Sequence, residues 1–251
     1  MTKTGGKRHI KRIAAPKYWQ IPRKHAVWTT RINPGPHPKD ASIPLALLLR
    51  DYLKVANTMK EVKRILTKRY VKVDGRVRKD YRFPVGHQDV VELVPLEKFY
   101  RIVYSKTKGL VPVEISPDEA QYKLCKIMGK RTIRGGMYQL NLHDGRNILV
   151  SPEEASKYAT KGTLKIKIPE QEILDYFPLK ENMYSIVTAG RNMGYEGVIA
   201  EIHRLYGPRA SNVLITAPDG HEFRTAIEYV FITGENEPVL TTVAKPTEDG
   251  E

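Results

Sequence analysis

The chain carries one cysteine, Cys125, among 251 residues. A lone thiol excludes an internal disulfide framework and any zinc centre built from several cysteines, and it points to a reducing, intracellular setting. Long apolar runs are also missing. The longest, IPLALLL at residues 43–49, is seven residues, against the roughly 20 that a membrane-crossing helix needs. The N-terminal stretch MTKTGGKRHIKR has no apolar core that could act as a secretion signal. The seven histidines (9, 25, 37, 87, 143, 203 and 221) are scattered, with no H-x-x-x-H pair, and no G-x-S-x-G elbow occurs. The reading is therefore no metal, no cofactor and no catalysis. Cys125, flanked by Leu124 and Ile127, is predicted as a buried, reduced thiol on a helix. The acidic pairs Asp118-Glu119 and Glu153-Glu154 are explained as helix starts.

Acidic residues are scarce in one place only. Residues 1–82 hold 22 Lys and Arg against 5 Asp and Glu, whereas residues 83–251 hold 20 against 23. The whole +14 of net charge thus comes from the first third. Such a segregated excess marks a surface for a polyanion. Nucleic acid ranks first as the partner, and an anionic membrane surface second. At 41% hydrophobic and 28% charged residues, the chain still has enough apolar content to fold, in two or three small domains.

Residues 1–42 are basic and carry prolines at 16, 22, 34, 36 and 38, which argues against long helices. Tyr18, Trp19, Ile21 and Trp28 are costly to leave in water, so this arm is read as ordered by packing on the protein or on a partner. The aromatic rings could stack on bases or anchor the arm to protein. Over residues 42–56, Leu45, Leu48, Leu49, Leu53 and Ala56 recur at helical spacing. Thr58 followed by Glu61 is a capping box that opens a second helix almost at once. On that helix Met59, Val62, Ile65 and Leu66 cover an arc of about 120°, while Lys60, Lys63, Arg64 and Lys68 cover an opposite arc of about 140°. A solvated face normally mixes signs; this one does not, and predicts an external anion. Asp74-Gly75 marks a hairpin. A three-residue loop that sets Val71 opposite Val77 and Lys72 opposite Arg76 separates polar from apolar faces, so that register is preferred. Pro84–Gly86 is read as a turn, and residues 89–94 as a further strand.

Here the sequence resembles a known RNA-binding module, first described in bacterial small-subunit ribosomal protein four. Its pattern is T-x-x-E-(V/A)-(K/R)-x-(L/I)-(L/I), then V-x-V-(N/D)-G-(R/K)-V, matched by Thr58–Leu66 and Val71–Val77. Downstream, residues 101–115 read as two strands about Lys108-Gly109. Ser116–Glu119 and Ser151–Glu154 read as capping boxes, residues 138–150 as a hairpin about Asp144-Gly145, and residues 163–168 as a strand. Lys126, Lys130, Arg131 and Arg134 form a local basic cluster. Gly190, Gly194 and Gly197 lie between two strands without the G-K-[ST] of a phosphate loop. Residues 184–234 are similar to the KOW motif of small SH3-like barrels.

The order of these parts extends the resemblance to nearly the whole chain. H-x-K-R-x-x-A-P-K-x-W at His9–Trp19, the Gly35-Pro36-His37 turn and P-D-E-A-x-Y-K-L-C-K at Pro117–Lys126 occur together in the archaeal and eukaryotic, or e-type, small-subunit ribosomal protein four family. The sequence resembles archaeal members, which lack the longer basic C-terminal extension. The resemblance implies an α+β multidomain fold: arm 1–42, a helix–turn–helix plus β RNA-binding module 43–98, a β-rich central domain 99–178, a KOW SH3-like β-barrel 179–236 and an acidic tail 237–251. It implies a structural protein of the cytoplasmic small ribosomal subunit, with ribosomal RNA and neighbouring ribosomal proteins as partners. The alternative is a free regulatory RNA binder or transcription-elongation factor. The candidate RNA contacts are Lys7, Arg8, Lys11, Arg12, Lys17, Arg23, Lys24 and Arg31 of the arm. In the module they are Arg50, Lys54, Lys60, Lys63, Arg64, Lys68, Arg69, Lys72, Arg76, Arg78 and Lys79. Secondary candidates are Lys130, Arg131, Arg134, Arg191, Asn192 and Tyr195. In TAGRNMGYEG, Tyr195-Glu196 stands where many relatives carry a basic residue, which weakens the case for that loop.

Overall fold

A computed structural model describes residues 9–22, 24, 26–205 and 211–242. Lys7, Arg8 and Arg23 lie outside the described residues, as does the end of the tail. Strands β1 (His9–Lys11) and β2 (Trp28–Thr30) form a short antiparallel ribbon. Between them Trp19 is buried, 1% exposed, and its indole N–H donates to the Ser42 carbonyl at 3.0 Å. The arm is therefore bolted to the protein through Trp19.

β3 (Ser42–Pro44) leads into α1 (Leu45–Leu47), which widens into a π-type turn over Leu48–Tyr52. The predicted helix thus starts later and ends earlier than its spacing suggested. Pro44 disfavours helical backbone at the residue before it, and Lys54, at φ 52, ends the segment. Leu45 to Leu49 are all fully buried. α2 (Met59–Thr67) has the expected capping box, the Glu61 amide donating to Thr58 Oγ1 and the Glu61 carboxylate reaching back. The strands that follow are β4 (Val71–Val73), β5 (Arg76–Val77), β6 (Pro84–Gly86), β7 (Val90–Leu93), β8 (Lys98–Ser105) and β9 (Gly109–Ile115). β6 is not a turn; it pairs with β3, and the remaining strands form a sheet ordered β5-β4-β7-β8-β9. This sheet runs unbroken across residue 98.

The hairpin register differs from the predicted one. Lys72 faces Val77 and Val73 faces Arg76, across a two-residue turn with Asp74 at φ 50 and Gly75 at φ 73. Positive φ at both positions matches the twist of the flanking strands. Because β5 is an edge strand with both residues exposed, there is no buried face at that edge for a three-residue loop to protect.

The central sheet is ordered β12-β11-β10-β13-β14, from β10 (Tyr122–Thr132), β11 (Tyr138–Leu142), β12 (Asn147–Val150), β13 (Thr163–Lys167) and β14 (Ile173–Phe177). Cys125 therefore sits on a strand, not a helix. Residues 123–127 are buried without interruption, and a strand covered on both faces loses the alternation that would identify it. Only one of the two downstream capping boxes opens an α-helix, the short α3 (Pro152–Ala155). At the other, Ser116 Oγ still accepts from the Glu119 amide, but the Glu119 carboxylate turns to Arg101 and Thr241. The last sheet is ordered β18-β17-β16-β15-β19, from β15 (Tyr184–Val187), β16 (Glu196–His203), β17 (Asn212–Thr216), β18 (Glu222–Ala226) and β19 (Val230–Gly234). Leu240 and Thr242 are buried, so the start of the tail packs against the fold at residues 240–242. No helix of the described residues is long and apolar enough to cross a membrane.

The parts meet at a buried charge cluster. Lys123, fully buried, places its ammonium 2.7 Å from Asp74, 2.5 Å from Asp89 and 3.0 Å from Asp144. Arg146 completes the ring against Asp74 and Asp144, and His37 from the arm lies 3.1 Å from Asp89. Gly86 is required here, because a Cβ on it would stand 2.4 Å from the His37 ring. Burial alone would raise the Asp89 and Asp144 carboxyls. The neighbours outweigh it, His37 and Lys123 at Asp89 and chiefly Lys123 at Asp144, so both lie well below the usual carboxylate range. Groups depressed in the fold stabilise it above their unfolded values and lose that contribution only as pH falls through the lowered ones. Lys123→Met leaves three buried carboxylates to one arginine, and should lower stability by roughly 3–5 kcal/mol. Urea unfolding at neutral pH and at about pH 4 checks this. The buried His87 and His143, held below their usual range, lower the stability of both proteins on acidification, but the deficit of the variant relative to the parent should shrink as its unpaired carboxylates take up protons.

Candidate nucleic-acid interface

α2 is held by burial of Val62 and Leu66, with Met59 and Ile65 half-buried beside them. That fixes the rotation of the helix and turns Lys60, Lys63, Arg64 and Lys68 outward, all exposed. Among the described residues none of the four has an acidic partner within 4.0 Å. Lys63 lies 5.1 Å over the Tyr81 ring and Lys68 5.5 Å over Tyr70, contacts that orient a cation without neutralising it. Exposed Arg69, Arg76 and Lys79 continue this surface, and Arg78 stacks 4.3 Å over Phe83. A cleft of about 400 Å³ opens between Arg69, Arg78, Lys79 and Phe83. Such an array can bind phosphates at several points with little loss of side-chain freedom.

Other candidates fare differently. Lys72 is taken by Glu92 at 2.8 Å, and Arg50 by Asp51 through two bonds at 2.8 and 2.9 Å. Arg12 donates to the Ile21 carbonyl within the arm. Lys11, Lys17, Lys24, Arg31 and Lys54 are exposed. In the central cluster Arg131 and Arg134 are exposed at the tip of the β10–β11 hairpin, but Lys130 turns back to the Ala155 carbonyl. Lys126 does not belong to a surface patch at all. It is buried and donates to the Glu228 and Val230 carbonyls at 2.7 and 2.6 Å, tying the central sheet to the last one. Near the glycine loop Arg191 is exposed and Asn192 half-buried, while Tyr195 packs against Phe223 with Lys106 4.7 Å over its ring.

The Lys123 cluster is the feature that sequence reasoning missed. One signal was present: Asp-Gly-Arg occurs twice, at 74–76 and 144–146, and both aspartates converge on Lys123. The fold also brings together Cys125, His143 and Asp144, with ligand-type atoms within 4.8 Å of one another. Each already has a protein partner. His143 Nδ1 accepts from the Lys126 amide, its Nε2 faces the His87 carbonyl, and Asp144 is held by Lys123 and Arg146. Burial pushes the Cys125 thiol well above its usual range. This is a structural core, as expected for the cysteine.

Comparison with known proteins agrees with this geometry. The profile of ribosomal family S4e matches residues 96–173, that of the RS4NT (NUC023) domain residues 4–40, and that of the S4 domain residues 44–91. The chain is 48% identical to small ribosomal subunit protein eS4 of Ignicoccus hospitalis, over 94% of this chain and 95% of the relative. It is 47% identical to the eS4 protein of Desulfurococcus amylolyticus, over 96% and 97%. The crystal structure of 30S ribosomal protein S4e from Thermoplasma acidophilum superposes with a TM-score of 0.66 at 30% identity, covering 78% of this chain and 97% of that one.

Burial, reinforced by the charge of Lys161, lowers the Lys126 ammonium to about 8. The unfolded chain then binds more protons between about pH 8 and 10.5, so this group makes stability rise with pH across that window. The parent should gain up to roughly 3 kcal/mol on Lys126→Met over the window. Paired urea titrations at the two pH limits measure it, and a constant difference would rule out a lowered Lys126 value.

Proposed function

The chain belongs to ribosomal family S4e, and on that premise we propose that it is a structural constituent of the cytoplasmic small ribosomal subunit, binding ribosomal RNA through a preordered basic surface. It is not an enzyme. The observation that carries the reading is the α2 face: four exposed cations without acidic partners among the described residues, on a helix whose rotation is locked by its own buried side. Their work is electrostatic, since each phosphate neutralised releases condensed counterions. The arm extends this surface along Lys11, Lys17, Lys24 and Arg31, bolted by Trp19, and would enter crevices between RNA helices. Lys7, Arg8 and Arg23 are assigned to the same surface from sequence.

The division into arm 1–42, module 43–98, central domain 99–178, barrel 179–236 and tail is part of this proposal. So is the SH3-like, KOW-type reading of the last sheet. It is supported by five short antiparallel strands and a 3-10 turn, Ile227–Tyr229, before the final one. Arg131 and Arg134 at their hairpin tip, and Arg191 and Asn192 at the glycine loop, are proposed as secondary contacts.

Replacing Lys60, Lys63, Arg64 and Lys68 with Ala should leave the fold intact and reduce the slope of log affinity against log salt by about 3–4. Filter binding to small-subunit ribosomal RNA over a salt series measures this, and an unchanged slope would remove α2 from the interface. Sedimentation tests the rest: the protein should stay with small subunits through a high-salt wash, whereas a free RNA-binding factor would be stripped.

A further inference from the structure

A second cleft, of about 300 Å³, lies between the arm ribbon and α2. Ile21, Trp28, Met59 and Tyr81 supply its apolar walls, and His9, Arg50 and Lys63 its polar rim. The two tryptophans have opposite fates. Trp19 is sealed in the core, but Trp28 is 57% exposed, next to Ile13 at 95% and Val27 at 69%. An indole left in water on a ribbon that is otherwise anchored has surface to gain from a partner. Lys11 stands 6.0 Å over the Trp28 ring, and Lys63 lies over Tyr81. Thr29, 6% exposed, also lines the cleft, and its hydroxyl finds no hydrogen-bond partner among the described residues.

We propose that this cleft takes an unstacked nucleobase of single-stranded RNA, which stacks on Trp28. The inference rests on the RNA-binding reading above and adds a base contact to its phosphate contacts. Charge complementarity selects the occupant. Lys63 belongs both to the cleft and to the α2 surface, so a strand whose phosphates meet Lys60 and Arg64 carries its bases past Trp28. A flat aromatic floor flanked by cations suits a base with its phosphates; an apolar peptide side chain would bury the same cations without neutralising them. Every base has a π-face, so the slot tolerates any sequence.

The test uses the full chain and two probes: an unstructured RNA of about ten nucleotides and an abasic ribose-phosphate strand of equal length. The base-bearing strand should quench the tryptophan emission that Trp28→Phe removes, and the abasic strand should not. Trp28→Ala should bind the base-bearing strand about ten-fold more weakly and the abasic strand unchanged. Equal quenching by both strands, or Trp28→Ala binding the base-bearing strand as tightly as the parent, overturns the slot. It would not touch the phosphate contacts, which fail separately if small-subunit ribosomal RNA binds without salt dependence. Unchanged RNA affinity with Trp28→Ala depleted from small subunits would give the cleft to a neighbouring protein, and also overturns the proposal.

Discussion

A lysine ammonium without access to water organises this molecule. Lys123 sits among Asp74, Asp89 and Asp144, with Arg146 and His37 closing the ring. Asp74 comes from the β4–β5 turn, Asp89 from the approach to β7, Lys123 from β10, Asp144 and Arg146 from the β11–β12 turn, and His37 from the arm. Charges taken out of water are tolerable only when each finds its counterpart. The cluster therefore forms only if the arm, the α2 module and the central sheet adopt one arrangement, which makes it a device of specificity more than of raw stability.

From that arrangement follows the surface on which the proposed function depends. The Asp74 carboxylate also accepts from the Val90 amide at 2.9 Å, so the cluster fixes the hairpin that carries Arg76 and Arg78. α2 is fixed separately, by Val62 and Leu66. Lys126 and the Glu119–Thr241 contact tie the last sheet and its trailing segment to the centre. A cationic face on so braced a scaffold repels itself at little conformational cost, and the repulsion is relieved when phosphates arrive.

Much of this was legible because the signals were local. The capping box at Thr58 and Glu61, the two arcs of α2, the Asp-Gly turns and the two strands about Lys108-Gly109 depend only on neighbours in sequence. Where residues are buried on every side, the signal fails. Residues 123–127 look like a helix and form a strand, and Leu45 to Leu49 belong to a shorter element, partly of the wider π type, than their spacing implied. The hairpin register was misjudged because the sorting of faces matters only where a face is buried, and β5 lies at an edge.

Composition and spacing alone determined that the positive charge is concentrated in the first third and that α2 carries it on one side; the order of parts was legible only through the resemblance of its motifs to a ribosomal family. Charge count and helical angle are properties of the chain itself, so no fold is needed to read them. Which cations remain free was decided only in three dimensions. Lys72 and Lys126 look like Lys60 and Arg64 in one dimension, yet their partners come from an adjacent strand and a distant sheet. Pairing is set by distance in space, and that is why tertiary packing alone could tell the binding cations from the structural ones.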